Sequence, residues 1–520
     1  MATSPDTAAN VGGASPAKPW PLSPRLQFLA GLVMALSNFM VILDLTIANV
    51  SVPHIAGNLG ITLDQGTWII TSYAVAEAIC VPLTGWLAGR FGSVRLFVFA
   101  MAGFGLFSLV CGISPTLGVL VAARIGQGIC GAPLMPMTQA LLLRVFPPER
   151  RTKAMSIWAL TVLMGPATGP ILGGYISDNF SWHWIFLINV PIALGCVFVA
   201  ATVLRTVETP TVRLPIDRMG LALLVFWIGC LQIMLDVGRD HDWFADWRIV
   251  GLALCAGIGF IAFIIWELTA EHPVVDLRIF RHRGFAIGVV VLSITFGAYF
   301  AGVVVFPQWL QLSQGYSAQM AGVVTAWTAV TSLITAIFLP RLVDRVDLRI
   351  LVVAGIGWFT IQCFVRAGWT TGMDFWSLSQ PQIVQGFGVS MFMMPLTQAS
   401  LGAVLPSEVP AAAGLQNFMR TMAVAIATSL VLTDWGDQQR IDRSALVDTL
   451  RPDATVHVLN QSGMGADIIP RVISNLVDEQ AMTIAMDHTF MLAGLGGIIS
   501  LVLILFTPKP KPLRQMNAGH

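Results

Sequence analysis

The chain has 520 residues, of which 55% are hydrophobic and 11% charged, and its formal net charge is +1. Soluble domains carry about 25% charged residues, so this composition excludes an ordinary soluble enzyme and indicates a polytopic membrane protein. The near-neutral charge gives no sign of nucleic-acid binding, and the seven cysteines lack the spacing of a disulfide framework or a metal site.

The N-terminal residues 1–26 are rich in alanine, serine and proline and lack the charged start and cleavage site of a signal peptide, which predicts a disordered cytoplasmic tail. Fourteen apolar runs follow, each long enough to cross a bilayer, which takes about 20 residues. The predicted spans 1 to 14 lie near residues 28–50, 67–88, 95–114, 117–138, 154–176, 185–204, 218–236, 248–266, 285–311, 320–340, 349–367, 378–400, 411–433 and 489–507.

The lysines and arginines between the spans predict the orientation, because cytoplasmic loops are enriched in positive charge. With the N-terminus inside, twenty of them fall on the cytoplasmic side and six on the opposite side. Arg124, Arg366 and Arg420 remain within spans or at their edges. An even number of spans returns the C-terminus to the cytoplasm, so both termini are predicted to be cytoplasmic.

A repeat relates span 4 to span 12, because Met-Pro-Met-Thr-Gln-Ala at 135–140 recurs as Met-Pro-Leu-Thr-Gln-Ala at 394–399. Duplicated halves around a central site are typical of transporters. The predicted fold is therefore an all-α membrane protein of two six-helix halves with spans 7 and 8 inserted between them. The predicted domains are a tail at 1–26, a first half at 27–205, the inserted helices and a linker at 206–283, a second half at 284–508 and a tail at 509–520. Within the second half, residues 434–488 predict a long periplasmic loop, either a solvated and partly helical cap or a docking surface for a partner.

Asp44 lies well inside span 1, where a carboxylate costs roughly 2.5–3.5 kcal/mol on insertion scales. Arg124 lies inside span 4 and needs a carboxylate partner, for which Asp44 and Glu77 of span 2 are the candidates. These three residues are predicted to form a proton-coupling site, with Asp44 as its centre. A static ion pair with Arg124 is the alternative interpretation.

All eight histidines fall in loops or near span ends, so the carboxylates are predicted to carry the proton. A cationic ligand favours the ionised form of a carboxylate and a proton neutralises it. Ligand and proton would then compete for one charge, which is the physical basis of exchange. The sequence shows no catalytic constellation and no phosphate-binding loop, so we expect neither an enzyme, nor a cofactor, nor a bound metal, nor ATP as the energy source.

Other polar and aromatic residues of the spans are candidates to line a substrate cavity. Arg420 in span 13 would attract an anionic group or balance Glu77 across the halves, while for Trp309 and Gln311 an interfacial aromatic belt is the alternative. The full set of predicted cavity residues is Asn38, Asn49, Tyr73, Gln127, Gln139, Trp309, Gln311, Gln398 and Arg420.

Span 5 carries a doubled glycine–proline motif. Its glycines recur every four residues on one helix face, where another helix can approach closely, and its prolines permit bending. The helix is predicted to be a gating contact between the halves, with ordinary small-residue packing as the alternative. The gating motif consists of Gly165, Pro166, Gly169, Pro170, Gly173 and Gly174.

A short cytoplasmic turn joins spans 2 and 3 and carries two arginines that can hold helix carbonyls or an acidic partner. It is predicted to form a latch with its counterpart after span 10, and simple positive-inside anchoring is the alternative. The predicted latch residues are Gly85, Arg90, Gly92 and Arg95, with Asp344 and Arg345 in the second half.

Together these motifs resemble the major facilitator superfamily, and within it the fourteen-span drug:proton antiporters of the EmrB/QacA type. The resemblance covers nearly all of residues 28–510, and residues 55–60 and 65–68 look particularly like the EmrB-like subgroup. One departure is Gly89, which stands where the cytoplasmic motif usually has an acid. The motifs that carry the resemblance are residues 43–53, 85–95, 124–128, 165–174, 182–191 and 315–318.

The resemblance implies a major facilitator fold and alternating access driven by inward proton flow, with Asp44 and Arg124 as the coupling pair. It implies export of amphiphilic toxic compounds across a bacterial inner membrane, together with a periplasmic EmrA-like adaptor and a TolC-like outer-membrane channel. One alternative is an exporter of an endogenous metabolite or lipid. Another is a non-transporting scaffold or sensor, against which the embedded carboxylate and arginine argue, because a scaffold has no need of them.

Overall fold

The computed structural model describes residues 22–211, 217–238, 241–271, 273–343, 345–449 and 468–507, and in this part of the chain the regular elements are all helical. The first half comprises span 1 (Pro24–Leu59), span 2 (Leu63–Cys80 and Thr84–Phe91), span 3 (Ser93–Gly112), span 4 (Leu117–Gly131 and Leu134–Val145), span 5 (Pro148–Asn179) and span 6 (Trp184–Leu187 and Asn189–Val203). The inserted helices are span 7 (Arg218–Val237) and span 8 (Trp247–Thr269). The second half comprises span 9 (Arg283–Leu312), span 10 (Ala318–Val343), span 11 (Leu348–Arg366), span 12 (Phe375–Leu401), span 13 (Val409–Thr449) and span 14 (Ile469–Ile504).

Several helices begin at side chains that satisfy the free amides of a first turn. Span 2 has a capping box, in which the Thr62 hydroxyl accepts from the Gln65 amide and the Gln65 side chain accepts from the Thr62 amide. Aspartates cap four other spans. Aspartate suits this position because its carboxylate also complements the positive end of the helix dipole. These caps are Asp217, Asp246, Asp347 and Asp374, at spans 7, 8, 11 and 12.

The prediction of fourteen spans in an all-α fold is confirmed. Twelve helices of the described residues are long and apolar enough to cross a membrane by length and composition. The other two, spans 5 and 12, are rich in glycine, proline and polar side chains. Span 14 begins at Ile469, whereas the sequence placed its start near 489, because the intervening apolar residues repeat at helical spacing and pack inward at Ala481, Ala485 and Met486.

The two halves repeat the same helix pairings. In the first half span 1 packs on spans 5 and 6, and span 4 packs on spans 2 and 3. In the second half span 9 packs on spans 13 and 14, and span 12 packs on spans 10 and 11. Spans 7 and 8 pair with each other, and span 7 fills the flank beside spans 2 and 13, where Trp227 and Phe418 meet edge to face with ring centroids 6.1 Å apart.

One set of contacts between the halves lies on the side where span 1 begins and span 14 ends, which we call the terminus side; the opposite side is the loop side. On the terminus side, a Cβ on Gly85 of span 2 would lie 2.6 Å from the Cα of Ala411 in span 13, so only glycine permits this approach. The Asn417 amide donates to Gln139 across the halves at 2.6 Å. On the loop side, spans 5 and 10 meet at Ile171 and Gly322. The terminus side of the space between the halves is therefore closed.

Candidate functional site

Asp44 and Arg124 form an ion pair that is sealed from solvent inside the first half. An Arg124 terminal nitrogen lies 2.5 Å from an Asp44 carboxylate oxygen, and both side chains are 0% exposed. Removing two charges from water costs several kcal/mol per ion, and only good geometry with further hydrogen bonds offsets that cost. The neighbours of this pair therefore decide whether it is tolerable.

Two amides complete the coordination of Asp44. Gln127, one helical turn after Arg124, donates to one carboxylate oxygen at 3.0 Å, and Asn189 of span 6 donates to the same oxygen at 2.7 Å. Gln127 also accepts from Arg124 at 2.7 Å and donates to Ser108 of span 3 at 2.8 Å. The network thus connects spans 1, 3, 4 and 6 through one carboxylate.

The Arg124 guanidinium is held by backbone and aromatic groups as well. Its Nε donates to the Ile69 carbonyl of span 2 at 3.0 Å. Its central carbon lies 4.3 Å from the ring centroid of Tyr73 and 5.6 Å from that of Phe186. Such cation–π contacts stabilise a desolvated guanidinium. A change in the charge of Asp44 would consequently be felt on span 2, which borders the space between the halves.

A cavity of about 970 Å³ lies between the halves, on the loop side of their closing contacts. Residues of spans 1, 2, 4, 5, 7 and 9 to 14 line it. Glu77 lines the cavity from the first half and Arg420 from the second, and the two charges interact electrostatically across it. Arg420 is also held by Met135 and by the faces of Trp158 and Phe296. Asp44 is not among the lining residues, so the structure separates the sealed carboxylate from the one that faces the cavity.

The structure places the nine predicted cavity residues in different surroundings. Gln311 and Arg420 line the cavity. Gln127 and Tyr73 belong to the Asp44 network, and Gln139 joins the halves. The remaining four are distributed as follows: Asn38 donates to Thr161, Trp309 donates to Thr483 and stacks on Trp369, Gln398 is half-buried late in span 12, and the side chain of Asn49 lies outside the described residues.

Three glycines of span 5 face span 1 of the same half. A Cβ on Gly165 or Gly169 would collide with Ile42 or Thr46, and one on Gly173 would come within 3.0 Å of Ile47. Thr46 uses this proximity to donate to the Gly165 carbonyl at 3.1 Å. The helix itself meets span 10 of the second half, but through Ile171 rather than through the glycines. The side chains of the motif prolines, Pro166 and Pro170, lie outside the described residues.

Gly169 and Gly174 provide a matched test of this packing. Gly169→Ala is expected to destabilise the protein, because overpacking costs roughly 1–3 kcal/mol and outweighs the gain of about 1 kcal/mol that alanine brings to a helix. Gly174→Ala is expected to be neutral or stabilising, because its Cβ would meet no described atom within 4 Å. Thermal unfolding of both variants in detergent measures the difference, and equal melting temperatures would contradict the packing described.

A carboxylate from outside the motif, that of Glu208, lies beside the predicted latch residues on the terminus side. Glu208, which follows span 6, accepts from the amides of Val94 and Arg95 at 2.9 and 3.0 Å and so caps span 3. Its side chain packs on Gly92, whose φ of +92° favours glycine. Arg144 of span 4 donates to the Glu208 carbonyl at 3.0 Å. Glu208 thus places an acid beside this turn, in which Gly89 stands at the position that usually carries an acid.

Arg90 and Arg345 are two further arginines of the predicted latch. Arg90 lies over the Trp86 ring at 5.5 Å, and Arg345 is exposed after span 10. Asp344 lies outside the described residues. A second terminus-side carboxylate, Glu408 before span 13, accepts from Arg281 at 2.7 Å and contacts His282 at 3.0 Å. Burial opposes ionisation of Glu408, but the Leu405 amide, His282 and Arg281 outweigh it and hold the pKa of its carboxyl below the ordinary value.

Comparison with known proteins identifies the family. The sequence profile described as Major Facilitator Superfamily matches residues 34–428. This chain belongs to the Major Facilitator Superfamily. Among its relatives is the "Multidrug export protein EmrB" of Escherichia coli K12, which is 40% identical over 94% of this chain and 97% of its own length. The "Fatty acid resistance protein FarB" of Neisseria gonorrhoeae is 39% identical over the same shares.

Solved structures show the same fold for this superfamily member. A proton:xylose symporter, XylE, superposes with a TM-score of 0.59 over 96% of this chain and 99% of its own, at 14% sequence identity. The human organic anion transporter MFSD10 superposes with a TM-score of 0.56 over 93% of this chain. At these identities the likeness concerns the fold alone. The chain is thus a multi-pass membrane protein with the architecture of a major facilitator transporter.

Sequence reasoning missed four residues that shape the site of this transporter. Asn189 completes the Asp44 network, and its place beside Pro191 in the resembling segment 182–191 was an available signal. Ser108 and Glu208 had no such signal, because their roles depend on where spans 3 and 6 pack. Arg366 was noted only as a charge at a span edge, yet it lines the cavity and is 4% exposed.

Proposed function

We propose that this protein is a proton-coupled multidrug exporter that works by alternating access, with Asp44 as the proton-carrying group. The observation that carries the proposal is the sealed Asp44–Arg124 pair beside a cavity between two repeated halves. An ionisable pair at membrane depth is costly and marks ion or proton pathways. The similarity to proteins named multidrug export protein supports the export of diverse compounds.

In the proposed cycle, protonation of Asp44 removes the charge that holds Arg124. The amides of Gln127 and Asn189 then face a neutral acid, so spans 4 and 6 lose their strongest link to span 1. Arg124 also contacts span 2 through Ile69 and Tyr73, so its release changes the helix that carries Glu77. Proton binding in one half is thereby transmitted to the wall of the cavity.

Glu77 and Arg420 are proposed to tune the charge of the bound substrate. A cationic substrate would replace Arg420 as the partner of Glu77, and an anionic one would replace Glu77 as the partner of Arg420. Each exchange changes the electrostatic link between the halves. The separation of these two residues from Asp44 allows substrate and proton to act at different places.

We also propose a bacterial inner-membrane location with both termini in the cytoplasm, and assembly with an EmrA-like adaptor and a TolC-like outer-membrane channel. The excess of lysine and arginine on the terminus side supports the orientation. Spans 13 and 14 form long helices of 41 and 36 residues, whose loop-side parts are joined by an Arg443–Asp478 ion pair at 2.6 Å. This rigid pair of helices offers the adaptor a surface outside the bilayer.

Transport in proteoliposomes tests the proposed function. The protein is reconstituted with an imposed pH gradient, a trapped pH indicator and two permanently charged dyes, the cation ethidium and the anion 8-anilinonaphthalene-1-sulfonate. We expect at least one dye to accumulate against its gradient together with opposite proton movement, and a protonophore to abolish both. If neither dye moves and no proton flux accompanies either, the protein is not a proton-coupled multidrug exporter.

A further inference from the structure

Arg366, at the loop-side end of span 11, is a buried cation without an acidic partner. It is 4% exposed and lines the cavity. One terminal nitrogen donates to the Pro381 carbonyl at 2.8 Å, while Nε has no hydrogen-bond partner. No ion pair among the described residues includes Arg366. A guanidinium buried in this way is costly unless an anion joins it.

The side chains around Arg366 hold it in place and add a second free donor. Its central carbon lies 5.6 Å from the Trp369 ring and 5.4 Å from the Phe490 ring. Gln382, the residue after Pro381, lines the same cavity, and its Oε1 accepts from Thr328 at 2.8 Å. The Gln382 Nε2 has no partner although it is buried. Two buried donors that line one cavity therefore lack an acceptor among the described residues.

The internal repeat shows what these donors correspond to. Gly128 packs on the Tyr73 carbonyl and the Glu77 amide, and Gly386 packs in the same way on the Thr328 carbonyl and the Ser332 amide. Each glycine follows the repeated glutamine, Gln127 or Gln385. The contacts of spans 2 and 4 are thus reproduced by spans 10 and 12.

Within this frame the second half has counterparts of the Asp44 network. Ser108 lies 19 residues before Gln127, and Arg366 lies 19 residues before Gln385. Arg124 lies three residues before Gln127, and Gln382 three residues before Gln385. By this spacing the cation of the second half lies on span 11, the counterpart of span 3, and the span 12 position that corresponds to Arg124 carries the amide of Gln382.

In the first half these positions enclose the Asp44 carboxylate, whereas in the second half no described carboxylate pairs with Arg366. The acid closest along span 14 is Asp487, one turn before Phe490, and it forms no ion pair with Arg366. The guanidinium of Arg366 and the amide of Gln382 line one cavity, and their N–H groups suit the two oxygens of a carboxylate. A carboxylate group of a ligand in the cavity would satisfy both donors.

We propose that Arg366 and Gln382 bind the carboxylate of an amphiphilic substrate whose apolar part lies along the aromatic wall of the cavity. Phe296, Phe359 and Phe490 supply that wall. The inference deepens the proposed function, because it names a substrate class for the exporter. The site is distinct from Asp44, so carboxylate binding and proton coupling are separable.

Binding to the purified protein in detergent tests the site without a pH gradient. The probes are 1-pyrenebutyrate and its neutral analogue 1-pyrenebutanol, followed by energy transfer from tryptophan to pyrene. Arg366→Gln is expected to weaken 1-pyrenebutyrate binding by about tenfold or more, as for a lost charge-assisted hydrogen bond, and to leave 1-pyrenebutanol binding within about twofold. Gln382→Met is expected to weaken the acid alone by about fivefold, as for a neutral donor.

Three controls separate the outcomes. Asp487→Asn and Arg471→Gln, the second at an exposed position, should not weaken 1-pyrenebutyrate binding. If Arg366→Gln and Gln382→Met weaken the binding of both probes equally, their effect is structural and the proposed site is overturned. Acetate should displace 1-pyrenebutyrate better than chloride at the same concentration; the reverse would identify an inorganic-anion site and overturn the assignment. Because binding is measured without transport, the two proposals can fail separately. Loss of the carboxylate site would not disprove dye transport in proteoliposomes, and absence of dye transport would not disprove the carboxylate site.

Discussion

Uphill transport driven by a pH gradient is expected to vanish when Asp44 is replaced by asparagine. The amide keeps the shape of the carboxylate but cannot exchange a proton, so the variant cannot convert proton flow into substrate accumulation. Asparagine can still accept hydrogen bonds from Gln127 and Asn189 through its carbonyl. Downhill substrate exchange between equal internal and external pH should therefore persist.

The comparison of uphill and downhill transport distinguishes coupling from folding. A variant that has lost its structure fails in both assays, whereas an uncoupled variant fails only in the first. Glu77→Gln provides the matched control, because it removes a second buried acid of the first half. Normal uphill transport by the Asp44 variant would contradict the account, and its loss in Glu77→Gln alone would transfer the coupling role to the residue that faces the cavity.

Replacing Arg124 by leucine is expected to destabilise the protein by about 3–5 kcal/mol, because it leaves the Asp44 carboxylate buried without its cation. The double variant Arg124→Leu with Asp44→Asn should recover a large part of that loss, because both charges are then absent. Arg124→Lys should be intermediate, since an ammonium keeps the charge but loses the planar donors that reach Asp44, Gln127 and Ile69 together.

Thermal unfolding of the three variants in detergent orders their stabilities. Arg471→Leu controls for the loss of an arginine, because Arg471 is exposed at the start of span 14. If the double variant were as unstable as Arg124→Leu alone, the stability would depend on Arg124 itself and not on its pairing with Asp44. A stable Arg124→Leu variant would mean that Asp44 is uncharged in the folded protein.

The helices and their repeat follow from the sequence because bilayer length, apolar composition and positive-inside bias act along the chain. The pairing of Asp44 with Arg124 was one of two candidates, and the geometry of span 4 against span 1 selects it. The length of span 14 was underestimated, because its first part carries Asp478 and Glu479 and was predicted to belong to a partly helical loop, whereas it packs on span 13 as part of one continuous helix.

The walls of the cavity could not be derived in the same way. A span alone does not show which face points toward the other half, so Asn38 and Trp309, polar or aromatic within their helices, instead satisfy partners inside their own half. Arg366 and Gln382 became recognisable only when the two halves were aligned through Gly128 and Gly386. Glu208, which caps span 3 beside the predicted latch, comes from another segment and carries no local signature.

Proton release on substrate binding tests the central claim most directly. Purified protein in lightly buffered detergent solution is mixed with a transported dye, and the change in pH is recorded over a series of starting pH values for wild type and Asp44→Asn. The account predicts that the wild type releases protons at the starting pH values that are low enough for Asp44 to be protonated, and that the variant releases none at any starting pH, with dye binding retained in both. Equal release by the two proteins would show that another group carries the proton and that the Asp44–Arg124 pair is structural.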